Sequence, residues 1–241
     1  MNFSIILNSR GRPYYLTGLL ESIFSKAKEP DLIEVLVKVD DDDRETINTV
    51  SVLETLYPNL KIAISPRPKN LHVTINELAS ISTGDFLFVI NDDVLFNTDN
   101  WDSIIINKAS VEFQKNGDKI LYVGVQDTSV DKATDGKYAS FPIISRESYQ
   151  ALGYFMSEHF VGLGADVFIY RIFEGVGRVL QVGEVVLDHL LHQTIQQVNN
   201  PDLTNFEMRQ NTYSNVPNGT PWDLDISEEL GLLNEKITNS I

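Results

Sequence analysis

The chain has 241 residues, with 34 acidic against 19 basic side chains and a formal charge of −15; this argues against broad nucleic-acid binding, which needs clustered lysine and arginine, and disfavours an anionic membrane surface. Cysteine is absent, so disulfides, thiolate zinc centres and cysteine nucleophiles are excluded. An apolar content of 42% over this length is enough for a substantial core in one domain, and no run reaches the roughly 18 apolar residues of a bilayer span.

Phe3 to Leu7 is the first apolar run. It has no basic head and no small-residue cleavage site, so it reads as a strand rather than a signal peptide, and a cytoplasmic protein is expected. Leu16, Leu19, Leu20, Ile23 and Phe24 follow at helix spacing, with Pro13 near the helix start, where proline is tolerated. Ile33 to Val39 is a second apolar run, and Ile47, Val50 and Leu53 mark a second helix. Lys61 to Ser65 is a shorter run closed by Pro66 and Pro68, before a third helix carrying Val73, Ile75, Leu78 and Ala79. Phe86 to Ile90 is a dense run of strand length.

Apolar runs alternating with helices predict parallel strands buried on both faces, a Rossmann-like α/β fold with a mostly parallel central sheet. Such sheets bind ligands beyond the carboxyl ends of their strands. The polar residues after each run therefore draw interest: Asn8 to Arg12, Asp40 to Asp43, and Asn91-Asp92-Asp93.

The second half is less regular. Ile120 to Val125 and Phe141 to Ile144 read as strands, with a short helix around Tyr149 to Leu152. Val161 to Asp166 opens a helical pattern through Phe168, Ile169 and Ile172. Val179 to Val182 and Val185 to Leu187 read as two short strands. Asn199 to Pro221 is polar and reads as a long loop of the kind that serves as a lid. A terminal helix from Ile226 to Ile237 is expected to pack back on the body.

Adjacent carboxylates after a buried strand, as in Asp92-Asp93, can ligate a hard divalent cation and hold it on a diphosphate; a solvated turn or helix cap uses the same residues. Asp40 to Asp43 fails the calcium-loop pattern, because Glu45 and Ser51 fall where glycine and glutamate are required. An acidic loop capping the next helix is the plainer reading of that run. Arg10 and Arg12 suit bidentate phosphate contacts, with Arg67 and Lys69 adding charge after the third strand; salt bridges to the Asp run are the alternative. His189 and His192 are spaced to share a helical face. His189, directly after an apolar run, is the better ligand candidate, against an ordinary core or surface histidine. Trp222 and Tyr213 are candidates for stacking on a sugar ring, although burial is the ordinary fate of tryptophan. Phosphate-binding P-loops, dinucleotide fingerprints, hydrolase elbows and zincin motifs are all missing.

Taken together, these pieces resemble the family-2-type glycosyltransferases with the glycosyltransferase A fold, over roughly Phe3 to His189. Ser4 to Pro13 looks like the family's opening strand and Asn-Arg-Pro turn. Val39-Asp40-Asp41 matches the strand end that meets the nucleotide base. Asn76, before Gly84, matches the Asn of the family's Ala-Arg-Asn segment. Thr83-Gly84-Asp85 through Asp93 matches the segment ending in Asp-x-Asp, and Ile144 to Glu147 with Ala151 to Phe155 resembles the acceptor side. Gly164-Ala165-Asp166 resembles the Gly-Glu-Asp motif that carries the catalytic base. Asn91 stands where the first Asp of Asp-x-Asp is usual, Ile75 stands in place of Arg, and Ala165 in place of the acidic residue before the base.

The resemblance implies a metal-dependent, inverting transfer from a nucleoside-diphosphate sugar to a saccharide or other hydroxyl acceptor. It divides the single domain into a nucleotide-sugar half (1–95), an acceptor half (96–198) and a loop with terminal helix (199–241). Ser9, Arg10, Arg12 and Asp40 would hold the nucleoside, with Asn76 and, in place of the missing Arg, Arg67 or Arg12 nearer the phosphates. Asp92 would orient the ribose or donor sugar. Asp93, with His189, would hold Mn²⁺ or Mg²⁺, and Asp166 would be the base. The alternative on the same fold is a non-catalytic nucleotide-sugar or carbohydrate-binding module. A nucleotidyltransferase ranks lower, because no glycine-rich, lysine-containing loop follows the first strand.

Overall fold

The computed structural model describes residues 1–128, 138–161, 164–190 and 224–240. The predicted Asn199 to Pro221 loop, His192, Tyr213 and Trp222 lie outside the described residues. The first half alternates as its apolar periodicity requires: β1 (Phe3–Ser9), α1 (Pro13–Lys26), β2 (Ile33–Asp40), α2 (Arg44–Leu56), β3 (Leu60–Ser65), α3 (Leu71–Ile81) and β4 (Phe86–Val89). Local chemistry sets the helix starts. Pro13 opens α1; Asp43 caps α2 by accepting from the Thr46 N–H at 3.2 Å; Asn70 caps α3 by accepting from the His72 N–H at 2.9 Å. Beyond β4 come β5 (Val94–Phe96), α4 (Trp101–Asn116), β6 (Tyr122–Asp127), β7 (Ile143–Ser145), α5 (Arg146–Leu152), α6 (Ala165–Gly175), β8 (Val179–His189) and α7 (Ser227–Thr238).

The strands form one sheet in the order β3-β2-β1-β4-β7-β6-β8-β5. From β3 to β4 every neighbouring pair is parallel, as expected. The rest makes the sheet mixed: β7 runs antiparallel to both β4 and β6, β6 and β8 are parallel, and β5 lies antiparallel on β8. The two short strands expected between Val179 and Leu187 are one strand. Val125 pairs with Val182 and Gln126 with Val186, so the polar Gly183-Glu184 break is a register irregularity within β8.

Alternation along β1 sends Ile5 and Leu7 to one face and Ile6 to the other. The first face is covered by α1, α2 and α4, around Phe3, Phe86, Phe88 and Trp101. The second is covered by α3, α5, α6 and α7, around Leu87, Tyr122, Phe168 and Phe173. The terminal helix does pack back: Leu233 is fully buried, and Glu229 accepts from the Tyr154 hydroxyl at 2.9 Å. No described helix is long and apolar enough to cross a membrane.

At the amino edge of the sheet, the Gly84 N–H donates to Ser4 Oγ at 2.7 Å, and Ser4 Oγ donates to Glu34 at 2.5 Å. A Cβ on Gly84 would lie 2.4 Å from the Ser4 backbone nitrogen. Gly84→Ala is therefore expected to cost about 1–3 kcal/mol, since backbone cannot move aside as a side chain can; urea denaturation reads this as a lower midpoint at unchanged slope.

Candidate active site

The carboxyl ends of β1, β2 and β4 lie side by side on one edge of the sheet. Gly11, with φ of 64°, turns the chain between two arginines that diverge. This left-handed conformation suits glycine because any Cβ would be strained there. Arg10 turns toward the end of β2, and Arg12 toward the end of β4.

On the β4 side, Ser9 Oγ donates to Asp92 Oδ2 at 2.8 Å. Arg12 spans both acids, with Nη2 2.5 Å from Asp92 Oδ1 and Nη1 3.1 Å from Asp93 Oδ2. Asp92 is fully buried, and that burial pushes its carboxyl up to about 6. The Asp93 charge adds to this rise, while Arg12 and the Ser9 hydroxyl oppose it. Asp93 Oδ1 faces His189 Nε2 at 3.5 Å, and His189 Nδ1 faces Asp127 Oδ2 at 3.5 Å. Burial alone would lower the imidazole, but Asp127 and Asp93 on its two sides raise it to about 9. His189 is the last residue of β8. The helical pairing read into Asp188 to His192 is therefore not the geometry at its start.

On the β2 side, Arg10 Nη1 donates to Asp40 Oδ2 at 2.9 Å, and Arg10 Nη2 to Asp42 Oδ2 at 3.0 Å. Lys38 pairs with the other Asp40 oxygen, and Arg67 Nε lies 4.0 Å from Oδ2. Asp43 accepts from the Gly11 N–H at 2.6 Å while capping α2. The acidic run thus acts in part as the helix-capping, arginine-pairing loop that the plainer reading described. Its charge is offset by a basic ring.

The structure brings together Ser9, Arg12, Asp92, Asp93 and His189 in one cluster, and Arg10, Asp40 and Arg67 in a second cluster beside it. Asn76 is committed elsewhere. Its Oδ1 accepts from the Phe155 and Met156 N–H groups at 3.0 Å each, and its Nδ2 donates to Met156 O at 2.9 Å and to Glu158 at 3.2 Å. The amide ties α3 to the 153–160 segment. Asp166 sits in the first turn of α6, where burial pushes its carboxyl up against the opposing pull of backbone N–H groups at Val167, Asp166 and Gly164.

Two participants were missed by the reading of the sequence. Lys38 is 2% exposed. The signal was a lysine inside an otherwise apolar strand, two residues before Asp40 and hence on its face. Asp127 is another strand-end carboxylate, after the run that becomes β6. The same rule that singled out Asp40 and Asp92 covers it.

Among the described residues, no cluster of three or more acidic or imidazole groups makes a complete metal cage. The donors at hand are one carboxylate oxygen and one imidazole nitrogen. The carboxylate suits a hard cation such as Mg²⁺ or Mn²⁺, usually held by one or two carboxylates with phosphates and water completing its shell, and the imidazole favours the transition metal of the two.

The model of the family described as Glycosyl transferase family 2 matches residues 4–169, well over half the chain. The chain belongs to that family. Comparison with curated protein sequences returned no match. Among solved structures, this glycosyltransferase resembles Staphylococcus aureus TarS 1-349 with a TM-score of 0.60 at 14% identity, covering 100% of this chain and 71% of that one. The same protein in complex with UDP-GlcNAc gives 0.59 at 14% identity, covering 100% of this chain and 72% of that one. Mannosyltransferase PcManGT from Pyrobaculum calidifontis, in complex with GDP-Man and Mn²⁺, gives 0.60 at 14% identity, covering 99% of this chain and 74% of that one. At this identity the likeness establishes the glycosyltransferase A fold, with its mixed sheet flanked by helices.

Proposed function

We propose that this glycosyltransferase moves a sugar from a nucleoside-diphosphate sugar to a hydroxyl acceptor, with inversion and with help from a divalent cation. The observation that carries the reading is the convergence of Arg12, Asp93 and His189 at the carboxyl end of β4, with Asp40 beside them in its basic ring. Related folds that hold UDP-GlcNAc, or GDP-Man with Mn²⁺, support it.

In this reading Asp40 meets the nucleobase edge as an acceptor, with Lys38, Arg10 and Arg67 placed around it. Asp92, steadied by Ser9, is placed to hold a ribose or sugar hydroxyl. Asp93 Oδ1 and His189 Nε2 would hold Mn²⁺ or Mg²⁺. When bound, that cation supplies a Lewis acid that offsets charge on the departing diphosphate. Arg12 bridges the two aspartates in the free protein and is within reach to pair with phosphate instead. Asp166 takes the proton from the acceptor hydroxyl as the oxygen attacks the anomeric carbon from the face opposite the leaving group. Asn76 holds the 153–160 segment in place rather than touching the donor.

The test is a thermal-shift panel of UDP- and GDP-sugars with Mn²⁺, followed by an assay for released nucleoside diphosphate. A donor present at 100 times its Kd should stabilise the fold by about 2.7 kcal/mol. The same donor should be slowly hydrolysed when no acceptor is added. A panel that gives neither stabilisation nor release overturns the proposal.

A further inference from the structure

We infer that Asp127 is a positioning residue that fixes the His189 ring so that Nε2 faces Asp93. The inference rests on the reading above, in which Asp93 and His189 share a cation.

The backbone alone sets up the arrangement. In the sheet, β8 runs between β6 and β5. Val94 of β5 pairs with His189, and Leu190 N–H donates to the Asp93 carbonyl at 2.8 Å. On the other side Asp127 pairs with Leu187, and Thr128 N–H donates to the Leu187 carbonyl at 3.0 Å. The last residue of β8 is thus bracketed by Asp127 at the end of β6 and by Asp93 directly before β5. The side chains follow this bracket: Nε2 faces Asp93 and Nδ1 faces Asp127, each at 3.5 Å. The Phe141 ring packs edge-on against the imidazole, with centroids 5.0 Å apart at 72°, and limits how the ring tilts.

The two carboxylates do different work because they face different nitrogens. Asp93 Oδ1 and His189 Nε2 would hold the cation, and Asp127, on the Nδ1 side, would not be one of its ligands. Asp127 is 4% exposed, and its Oδ2 lies 3.5 Å from Nδ1; a ring whose Nδ1 proton points at Asp127 would present Nε2 to the cation. A carboxylate behind a ligating histidine fixes both tautomer and ring direction, and its loss typically lowers metal affinity about 10–100-fold.

The experiment titrates Mn²⁺ alone into the full chain. It reads affinity by calorimetry and the coupling of histidine nitrogen to manganese by electron spin-echo spectroscopy. The unsubstituted protein should show the nitrogen coupling. Asp127→Ala should bind Mn²⁺ about 10–100-fold more weakly and lose the coupling. Asp127→Asn, whose amide oxygen still accepts from Nδ1–H, should recover most of both. Circular dichroism and the melting temperature check each fold; if the alanine variant does not fold, Asp127→Leu, similar in shape but unable to accept, replaces it. Full affinity and coupling in the alanine or leucine variant overturns the positioning role, as does an asparagine variant no better than alanine. Mn²⁺ binding without nitrogen coupling in the unsubstituted protein removes His189 as a ligand. It overturns the reading beneath the inference as well, so the two failures are told apart.

Discussion

Asp166→Asn is expected to lower turnover by about 10²–10⁴, the usual worth of a general base, while donor binding stays at the parent level. The argument starts from the position of Asp166 in the first turn of α6. Burial pushes the carboxyl up, and the backbone N–H groups of Val167, Asp166 and Gly164 pull it down without cancelling the rise. A base works only when deprotonated. The acid limb of the kcat profile should therefore lie above the ordinary aspartate value of about 3.9, and it should disappear in the asparagine variant. The raised pKa also fixes the sign for stability. The folded state binds its proton more tightly than the unfolded chain, so stability contributed at low pH is lost as pH rises through the folded pKa. At neutral pH the ionised carboxylate is a burden on the fold, and Asn at this position should not lower the melting temperature. Lost turnover with unchanged stability and donor affinity marks a base. Transfer at the parent rate removes Asp166 from that role.

Asp93→Ala is expected to abolish the tightening of nucleoside-diphosphate binding by Mn²⁺, and to lower turnover by about 10³, on the scale of several kcal/mol of charge stabilisation. Asp93 Oδ1 faces His189, and its Oδ2 takes one arm of Arg12, so the truncation removes the carboxylate that joins them. Arg12 keeps Asp92 as a partner at 2.5 Å, which preserves the strand-end turn and makes loss of fold an unsuitable explanation for the effect. Calorimetry with UDP and GDP, each with and without Mn²⁺, reads the outcome. A metal response equal to that of the parent excludes Asp93 from the site.

The parallel half of the sheet was legible because β1, β2 and β4 are buried on both faces and read as continuous apolar runs. Strand β3 and helices α1 to α3 followed from spacing and caps. What lies beyond β4 was harder. Strand β5 has three residues, too few for a period to register, whereas the Phe141 to Ile144 run found β7 with its start displaced by two residues. Helix α4 carries no clear apolar period, because its buried positions, Trp101, Asp102, Ile105 and Ala109, mix apolar and charged residues. Asp102 is buried for a local reason: its two oxygens accept from the Lys28 and Glu29 N–H groups at 2.8 and 2.9 Å. Among the candidate residues, Asn76 matched a family position, yet its amide is spent on backbone some 80 residues away. No local pattern announces such a partner.

Read alone, the order of residues was enough to name the α/β class, the carboxyl edge of the strands as the place for chemistry, and Ser9, Arg12, Asp92, Asp93 and His189 as residues to watch. These depend on short-range facts: which runs are apolar, and which polar groups directly follow them. Only folding decided that Arg10 and Arg12 part company at Gly11, that Lys38 is buried against Asp40, and that His189 stands between Asp93 and Asp127. Those pairings depend on sheet order, which sets β8 between β6 and β5 across long stretches of chain. Strand order follows from how both faces of the sheet are covered at once, and no window of sequence contains both faces.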